Sequence, residues 1–424
     1  MRLIESLPQA LAWCESRRGQ ALSDPGVEAT VADIIATVAA GDEDTLRELS
    51  LRFDGVAPSS ILLPAEELAA AARRVDGDLR EAIDLAIERV EDYYRRQPSE
   101  GFSHRSSGVV LGQILRPLDS VGCYVPGGSA PLFSSLIMTA VPAKVAGVKR
   151  IVAATPPNAA AGVPAEVAYV ATALGVGEVV VLGGAQAIAA LALGVGSLRR
   201  VDKVVGPGNR FVVAAKRQLF GAVGIESLPG PTETLVLADE TASTAHVVAD
   251  LLAQAEHDGA QPVLVTTSRQ LAAGVMATIE DVAASLPTAT TALESLRLRG
   301  VVVLVADLRA GTEVLNAYAP EHACLLVADP WTLVPDIRHA GGLFLGANSL
   351  EALGDYVAGP SHVMPTGATA RFASFVNLRD FQKVIPFMHA ERKFVAEVGP
   401  AAARMARAEG LEAHARAVES RYEE

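Results

Sequence analysis

Through the first hundred residues, apolar side chains recur at helical spacing. The segment DPGVEATVADIIATVAAGDEDTLRELSLRFDG carries this period, with Gly41 and Gly55 as stops, and LPAEELAAAARRVDGDLREAIDLAIERVEDYYRRQ continues it. Alternating charges mark the solvated faces of these helices, and Ala, Leu, Ile and Val mark the buried ones. From Val109 the period changes. Short β-branched runs, VGCYV, RIVAAT, EVVVLGG and DKVVGPG, read as strands, with helices such as SSLIMTAVPAKVAG and NRFVVAAKRQLFG between them. After the Pro-rich joint LPGPTE at residues 228–233, the alternation resumes with TLVLAD, PVLVTTS, VVVLVAD, ACLLVAD and GLFLG. The tail from about residue 377 is again helical. Alternating β and α segments predict parallel sheets with helices on both faces. The break near residue 230 predicts two α/β units.

One stretch tests the membrane alternative. Val179–Gly196 contains a single strongly polar residue, Gln186, and is nearly long enough to span a bilayer. Its β-branched start, the Gly183-Gly184 break and the Ala/Leu run that follows predict a strand, a turn and a buried helix instead.

Composition narrows the classes. At ~100–200 residues per domain, the 424 residues allow two to four domains. Half of the residues are hydrophobic, 20% are charged and 5% are aromatic, which excludes overall disorder. The net charge of −13 shows no basic stripe and argues against nucleic acid. Three cysteines, Cys14, Cys123 and Cys324, form no disulfide framework and suit a reducing cytoplasm. The acidic residues of MRLIESLPQALAWCESRR break the apolar stretch that a signal peptide needs.

Neither a G-x-G-x-x-G nor a P-loop motif is present. Three strand ends are nevertheless rich in glycine: Tyr124-Val-Pro-Gly-Gly, Gly183-Gly184-Ala-Gln186 and Gly206-Pro-Gly-Asn209. Such turns either simply connect strand to helix or let backbone approach a ligand beyond the carboxyl ends of strands. Two of the three carry a side-chain amide, which favours binding. Gln254 and His257 share a helix face at i, i+3, as half a metal site or as a polar helix end. The adjacent Glu321 and His322 offer two proton-transfer groups, or merely a polar loop ahead of a strand. Asp355 and His362 flank a Gly-Pro loop, either as ligands or as caps. Glu409 and His414 lie in the acidic tail and by themselves carry little weight. Cys123 and Cys324 sit in apolar strands, and buried inert thiols are expected there.

Eight blocks stand in one order from about residue 116 to 418: RPLDSVGCYVPGGSAPLFSSLIMTAVPAKVAGV, VVLGGAQAIAALALG, VVGPGNRFVVAAK, PGPTETLVLAD, DLLAQAEHD, APEHACLL, GDYVAGPSHVMPTGATARFAS and AEGLEAHARAV. Together they resemble the histidinol dehydrogenase family. The resemblance implies an amino alcohol oxidised to an amino acid through an aldehyde, in two NAD-dependent steps, with one zinc per site. It implies zinc ligands Gln254, His257, Asp355 and His414, and an acid–base pair Glu321 and His322. It implies NAD contacts at Tyr124, Gln186 and Asn209. Substrate contacts are implied at Thr232, His362 and Glu409, beside the zinc ligands and the acid–base pair. A homodimer is implied, with the tail His and Glu supplied to the partner's site.

The expected architecture is two incomplete Rossmann-like parallel-sheet units with helical ends. Residues 1–102 form a helical segment. Residues 103–123 with 233–376 carry zinc and the catalytic pair. Residues 124–232 bind NAD, and 377–424 form the helical tail. L-Histidinol, going to L-histidine in the final step of histidine biosynthesis, is the first-choice substrate.

Departures from the family pattern lie near the substrate side: Thr232 for the usual Ser, Ser361 for a frequent Asn, and Phe375-Val-Asn377 for Gly-Leu-Ser or Pro-Leu-Ser. They leave a paralogous dehydrogenase for another polar alcohol, such as a sulfonated diol, as the alternative. A zinc hydrolase using Glu321 as base would need no nicotinamide. A non-catalytic binding protein would tolerate loss of Glu321 and His322.

Overall fold

The computed structural model describes residues 1–18, 24–127 and 131–422. Gly128 of the Tyr124-Val-Pro-Gly-Gly turn falls outside the described residues. All nine strands named above form, within two wholly parallel sheets. The first sheet runs in the order Glu178–Val181, Arg150–Thr155, Ser120–Tyr124, Lys203–Val205, Gly224–Ile225. The second runs Arg2–Ile4, Val301–Leu304, Gln261–Thr266, Glu233–Ala238, His322–Leu326, Gly342–Leu345. Their central strands are almost entirely buried, as expected of parallel strands covered by helices on both faces, while the edge strands Arg2–Ile4, Gly342–Leu345 and Gly224–Ile225 are partly exposed. Among the described residues no helix is long and apolar enough to cross a membrane. Val179–Gly196 divides into the strand Glu178–Val181 and the buried helix Gly184–Leu193.

The N-terminal helices cap the first sheet. In Pro25–Ala40, Val27, Val31, Ile34 and Val38 form one buried stripe that packs with Ile188 and Leu191 of the helix Gly184–Leu193. Asp24 accepts the N–H groups of Gly26 and Val27 and starts that helix. The next helix, Glu43–Asp54, begins on an Asp42–Thr45 capping box and stops at Gly55 in the left-handed region. Residues 61–63 then hydrogen-bond to the edge strand Glu178–Val181, through Leu63 N–H to the Val179 carbonyl at 2.9 Å and Val181 N–H to the Ile61 carbonyl at 2.9 Å. These contacts fix the helical segment over the carboxyl ends of that sheet.

Two segments depart from the helical expectation. Arg2–Ile4 is an edge strand that takes its partner, Val301–Leu304, from the far end of the chain. The tail is not helical throughout, because Gln382–Ala390 is a strand paired antiparallel with Val109–Pro117, which also pairs with Phe102–Ser106. Val384, Ile385 and Phe387 supply its β propensity, and Pro386 is tolerated because the strand lies at the edge. The tail then continues as the helices Arg392–Ala408 and Glu412–Glu419.

Candidate active site

Thr232 ends the Pro-rich joint immediately before the strand Glu233–Ala238. Glu321 immediately precedes, and His322 begins, the neighbouring strand, with His322 opposite Thr234. Both lie at the amino edge of the six-stranded sheet. The helix Thr244–Ala255 runs back to that edge and delivers Gln254 and His257, and Glu351–Tyr356 does the same for Asp355. The carboxyl-end rule thus fails for this sheet, because its polar residues arrive on returning helices. On the five-stranded sheet Tyr124 ends its strand and Gln186 and Asn209 follow strand ends, at the carboxyl edge where such sheets take ligands.

One hydroxyl organises the candidate cluster. Thr232 Oγ1 lies 2.9 Å from Gln254 Oε1 and 2.8 Å from Glu321 Oε2. A hydroxyl has one proton to give. With Gln254 as placed, both contacts are hydrogen bonds when Glu321 is protonated and donates to Thr232. Burial favours that state, pushing Glu321 up to about 7. The Glu233 N–H also donates to Glu321 Oε2, at 3.1 Å.

His322 is buried, with Nδ1 3.6 Å from Glu321 Oε2 and Nε2 3.8 Å from Asp355 Oδ1. Neither ring nitrogen has a hydrogen-bond partner. Burial alone would lower its pKa, but the carboxyls of Glu321, Glu351 and Asp355 outweigh burial and raise it to about 10. Asp355 moves the other way. Burial is opposed by His322, His362 and His257, which hold its carboxyl below the ordinary range. His362 donates from Nδ1 to the Asp355 carbonyl at 2.9 Å and accepts at Nε2 from Ser135 Oγ at 3.3 Å. Ser135 belongs to the helix that follows Tyr124, so this contact ties the five-stranded sheet to the candidate cluster.

The structure therefore brings Thr232, Gln254, Glu321, His322, Asp355 and His362 together, with His257 in their electrostatic field. It does not bring Glu409 or His414 to them. Both are exposed on the tail, whose helices are held together by Arg407 with Glu412 and Glu419.

Sequence reasoning missed two buried carboxyls. Glu351 lies beside His322, accepts from Cys324 Sγ at 2.9 Å and also accepts from Thr234 Oγ1. Its i, i+4 relation to Asp355 on one helix was the available signal. Glu233 pairs with Arg17 at 2.5 Å, and that guanidinium lies 3.8 Å from the centre of the Tyr318 ring. A charge at the head of an otherwise apolar strand was its signal. Both strand thiols are buried, as expected. Burial pushes Cys123 up to about 12 and holds Cys324 well above its usual value.

On the five-stranded sheet the three glycine turns converge. Gly206 has φ +122, and a Cβ there would meet the Tyr124 carbonyl at 2.2 Å, so only glycine fits. Its N–H donates to Glu226 Oε1 at 2.8 Å, and its carbonyl accepts from Lys216 Nζ at 3.1 Å. Lys216 and Glu226 form a buried pair at 2.7 Å that clamps the turn. The Tyr124 hydroxyl accepts the Gly184 N–H at 3.0 Å. Asn209 commits its oxygen to the N–H groups of Phe211 and Val212, leaving its NH2 group as the half that can donate to a ligand. The chain order reverses between Ser120–Tyr124 and Lys203–Val205, which is where such sheets bind nucleotides.

The histidinol dehydrogenase family profile matches residues 17–422. A histidinol dehydrogenase of Deinococcus radiodurans is 54% identical over 396 residues, covering 93% of this chain and 90% of that protein. One from Thermus thermophilus is 47% identical over 412 residues, covering 96% and 97%. The crystal structure of histidinol dehydrogenase from Elizabethkingia anophelis matches with a TM-score of 0.94 at 32% identity, covering 100% and 98%. The chain belongs to the histidinol dehydrogenase family.

Proposed function

We propose that this chain oxidises L-histidinol to L-histidine through L-histidinal, reducing two NAD in the last step of histidine biosynthesis. The observation that carries the reading is the Thr232–Glu321–His322–Asp355 line, buried at Glu321 and His322 and half-buried at its ends, tied through His362 and Ser135 to a nucleotide-type sheet edge. The unpaired, buried cysteines accord with a cytoplasmic enzyme.

The donor chemistry fits zinc. Gln254, His257 and Asp355 supply one amide oxygen, one imidazole and one carboxylate, a borderline set that suits this ion. Among the described residues no three His, Cys, Asp or Glu are arranged to hold a metal. The proposed set accounts for this, since one ligand is an amide and His414 would come from the partner subunit. The three-stranded sheet supports such a dimer. Val384 and Ile385 are neighbours on opposite faces of an edge strand, yet they are 47% and 42% exposed. Met405 and Leu411 of the tail are exposed as well.

When bound, zinc would orient the amino alcohol and polarise its oxygen while the nicotinamide takes up hydride. The chain's own residues manage the protons. Glu321 and His322 titrate as a pair. At rest the neighbouring carboxyls keep His322 protonated, so that proton leaves to solvent before oxidation. In the first step neutral His322 takes the hydroxyl proton and then releases it to solvent. Glu321, as the carboxylate, removes a proton from water as it adds to the aldehyde and passes it to solvent, and His322, neutral again, takes the hydrate's proton in the second oxidation. Thr232 keeps Glu321 aimed. His362, locked by Asp355 and Ser135, presents a ring edge to the substrate.

NADH formation with histidinol and with a sulfonated diol, before and after chelation and zinc restoration, tests the reading. Turnover of histidinol that disappears on chelation and returns with zinc is expected. Good turnover of the diol without histidinol activity would overturn the substrate. The departures do not favour that outcome. Ser361 is buried and accepts from the Val363 N–H at 3.1 Å, and Phe375 packs on Tyr93.

Thr232 makes both its contacts through the hydroxyl, which serine also has. Thr232→Ser should therefore keep kcat/KM within a few-fold. Thr232→Val should lower it roughly 10- to 100-fold, since a buried carboxyl loses its partner. Equal rates for the two variants would remove Thr232 from the machinery.

A further inference from the structure

Dinucleotide-binding sheets usually place an acidic side chain at the end of the second strand, where it accepts from the adenosine ribose 2′-hydroxyl. The second strand of the five-stranded sheet, Arg150–Thr155, ends instead in Pro156-Pro157-Asn158 and has no carboxylate there. A carboxylate reaches the same place from outside the sheet. Asp54 is the last residue of the helix Glu43–Asp54. A Cβ on Gly183 would lie 2.6 Å from Asp54 Oδ1 and 2.9 Å from Pro156 Cβ, and a Cβ on Gly127 would lie 2.6 Å from Pro156 Cγ. Asp54 therefore stands where the turns after the first, second and third strands of this sheet meet. Its Oδ2 accepts from Ser50 Oγ at 3.1 Å and from Gln186 Nε2 at 3.2 Å. That bond orients Gln186, one of the residues expected to contact the cofactor. The surroundings of Asp54 are Ser50, Gly183 and Gln186, with no cation among them. Asp54 is only part-buried, so a ligand can reach it.

We propose that Asp54, supplied by the N-terminal helices, holds the adenosine ribose and selects NAD over its 2′-phosphorylated form. A carboxylate accepts from a 2′-hydroxyl and repels a 2′-phosphate, and among the described residues no lysine or arginine acts on Asp54 to offset that repulsion. Asp54 also occupies the start of the helix Gly184–Leu193, where free backbone N–H groups would otherwise favour an anion. Gly183 serves this arrangement, because any side chain there would displace the carboxylate.

The inference rests on the proposed use of NAD, and its test needs no turnover. Titration calorimetry on the full chain would compare ADP-ribose, 2′-phospho-ADP-ribose and 2′-deoxy-ADP-ribose. The wild type should bind the 2′-phospho and 2′-deoxy compounds roughly 10- to 100-fold more weakly than ADP-ribose. Asp54→Asn, which keeps the shape and one acceptor for Gln186, should bring all three within about ten-fold of one another. Its melting temperature reports whether the fold survives. If the wild type binds ADP-ribose and its 2′-deoxy form equally, the inference fails without recourse to any variant. A folded Asp54→Asn that discriminates as the wild type does overturns it too. A wild type that binds none of the three compounds overturns the NAD reading itself, and this inference with it.

Discussion

Replacing His322 with Asn should slow both oxidations by roughly 10²–10⁴-fold, the usual range for loss of a positioned acid–base group. Asparagine fills much of the same volume but cannot carry the proton. His322 is 3% exposed, neither ring nitrogen is hydrogen-bonded, and the carboxyls of Glu321 and Asp355 lie 3.6 and 3.8 Å from its ring nitrogens. It is not among the proposed zinc ligands, and metal content should therefore be unchanged. Separate assays with histidinol and histidinal, with zinc measured on the same samples, make the comparison. A variant that turns over either substrate within a few-fold of wild type would refute the role. Glu321→Gln should behave differently. It keeps the Thr232 contact and loses the group that activates water, so oxidation of the aldehyde should suffer more than oxidation of the alcohol.

The sheets were legible because their strands are short continuous apolar runs, and such runs have few alternatives once helices separate them. RIVAAT became the strand Arg150–Thr155 without adjustment. Arg2–Ile4 was not legible, since three residues carry no period and the strand depends on a partner about 300 residues away. Gln382–Ala390 was hidden between helical stretches, and only its pairing with Val109–Pro117 makes it a strand. In the site, Glu321-His322 could be read because the two polar residues are adjacent ahead of an apolar strand. Glu351 and Glu233 could not, because burial beside His322 and pairing with Arg17 are tertiary facts. The amino-edge position of the cluster was also hidden. It follows from helices that carry Gln254 and Asp355 back across the sheet, and local sequence does not encode that direction.

If the tail of one subunit completes the site of the other, two inactive chains should repair each other. His322→Asn disables the core half of a site, and His414→Ala disables the tail half. Each variant alone should be nearly inactive. In a mixed dimer, one site combines both lesions, and the other combines an intact core with an intact tail. Random exchange of equal amounts makes half of the dimers mixed, each with one good site, so about a quarter of the wild-type activity should return. A tail acting within its own chain predicts a different result, because every site would then carry one lesion and mixing would restore nothing. The structure already separates the halves. His414 is exposed on helices that pack on each other, while Gln254, His257 and Asp355 lie at the sheet edge without it. Activity measured before and after subunit exchange, with size measured in parallel, distinguishes the two arrangements. The exposed edge strand Gln382–Ala390 is the surface proposed for that dimer. A charged residue at Ile385, for example Ile385→Asp, should therefore reduce both dimer formation and the recovered activity.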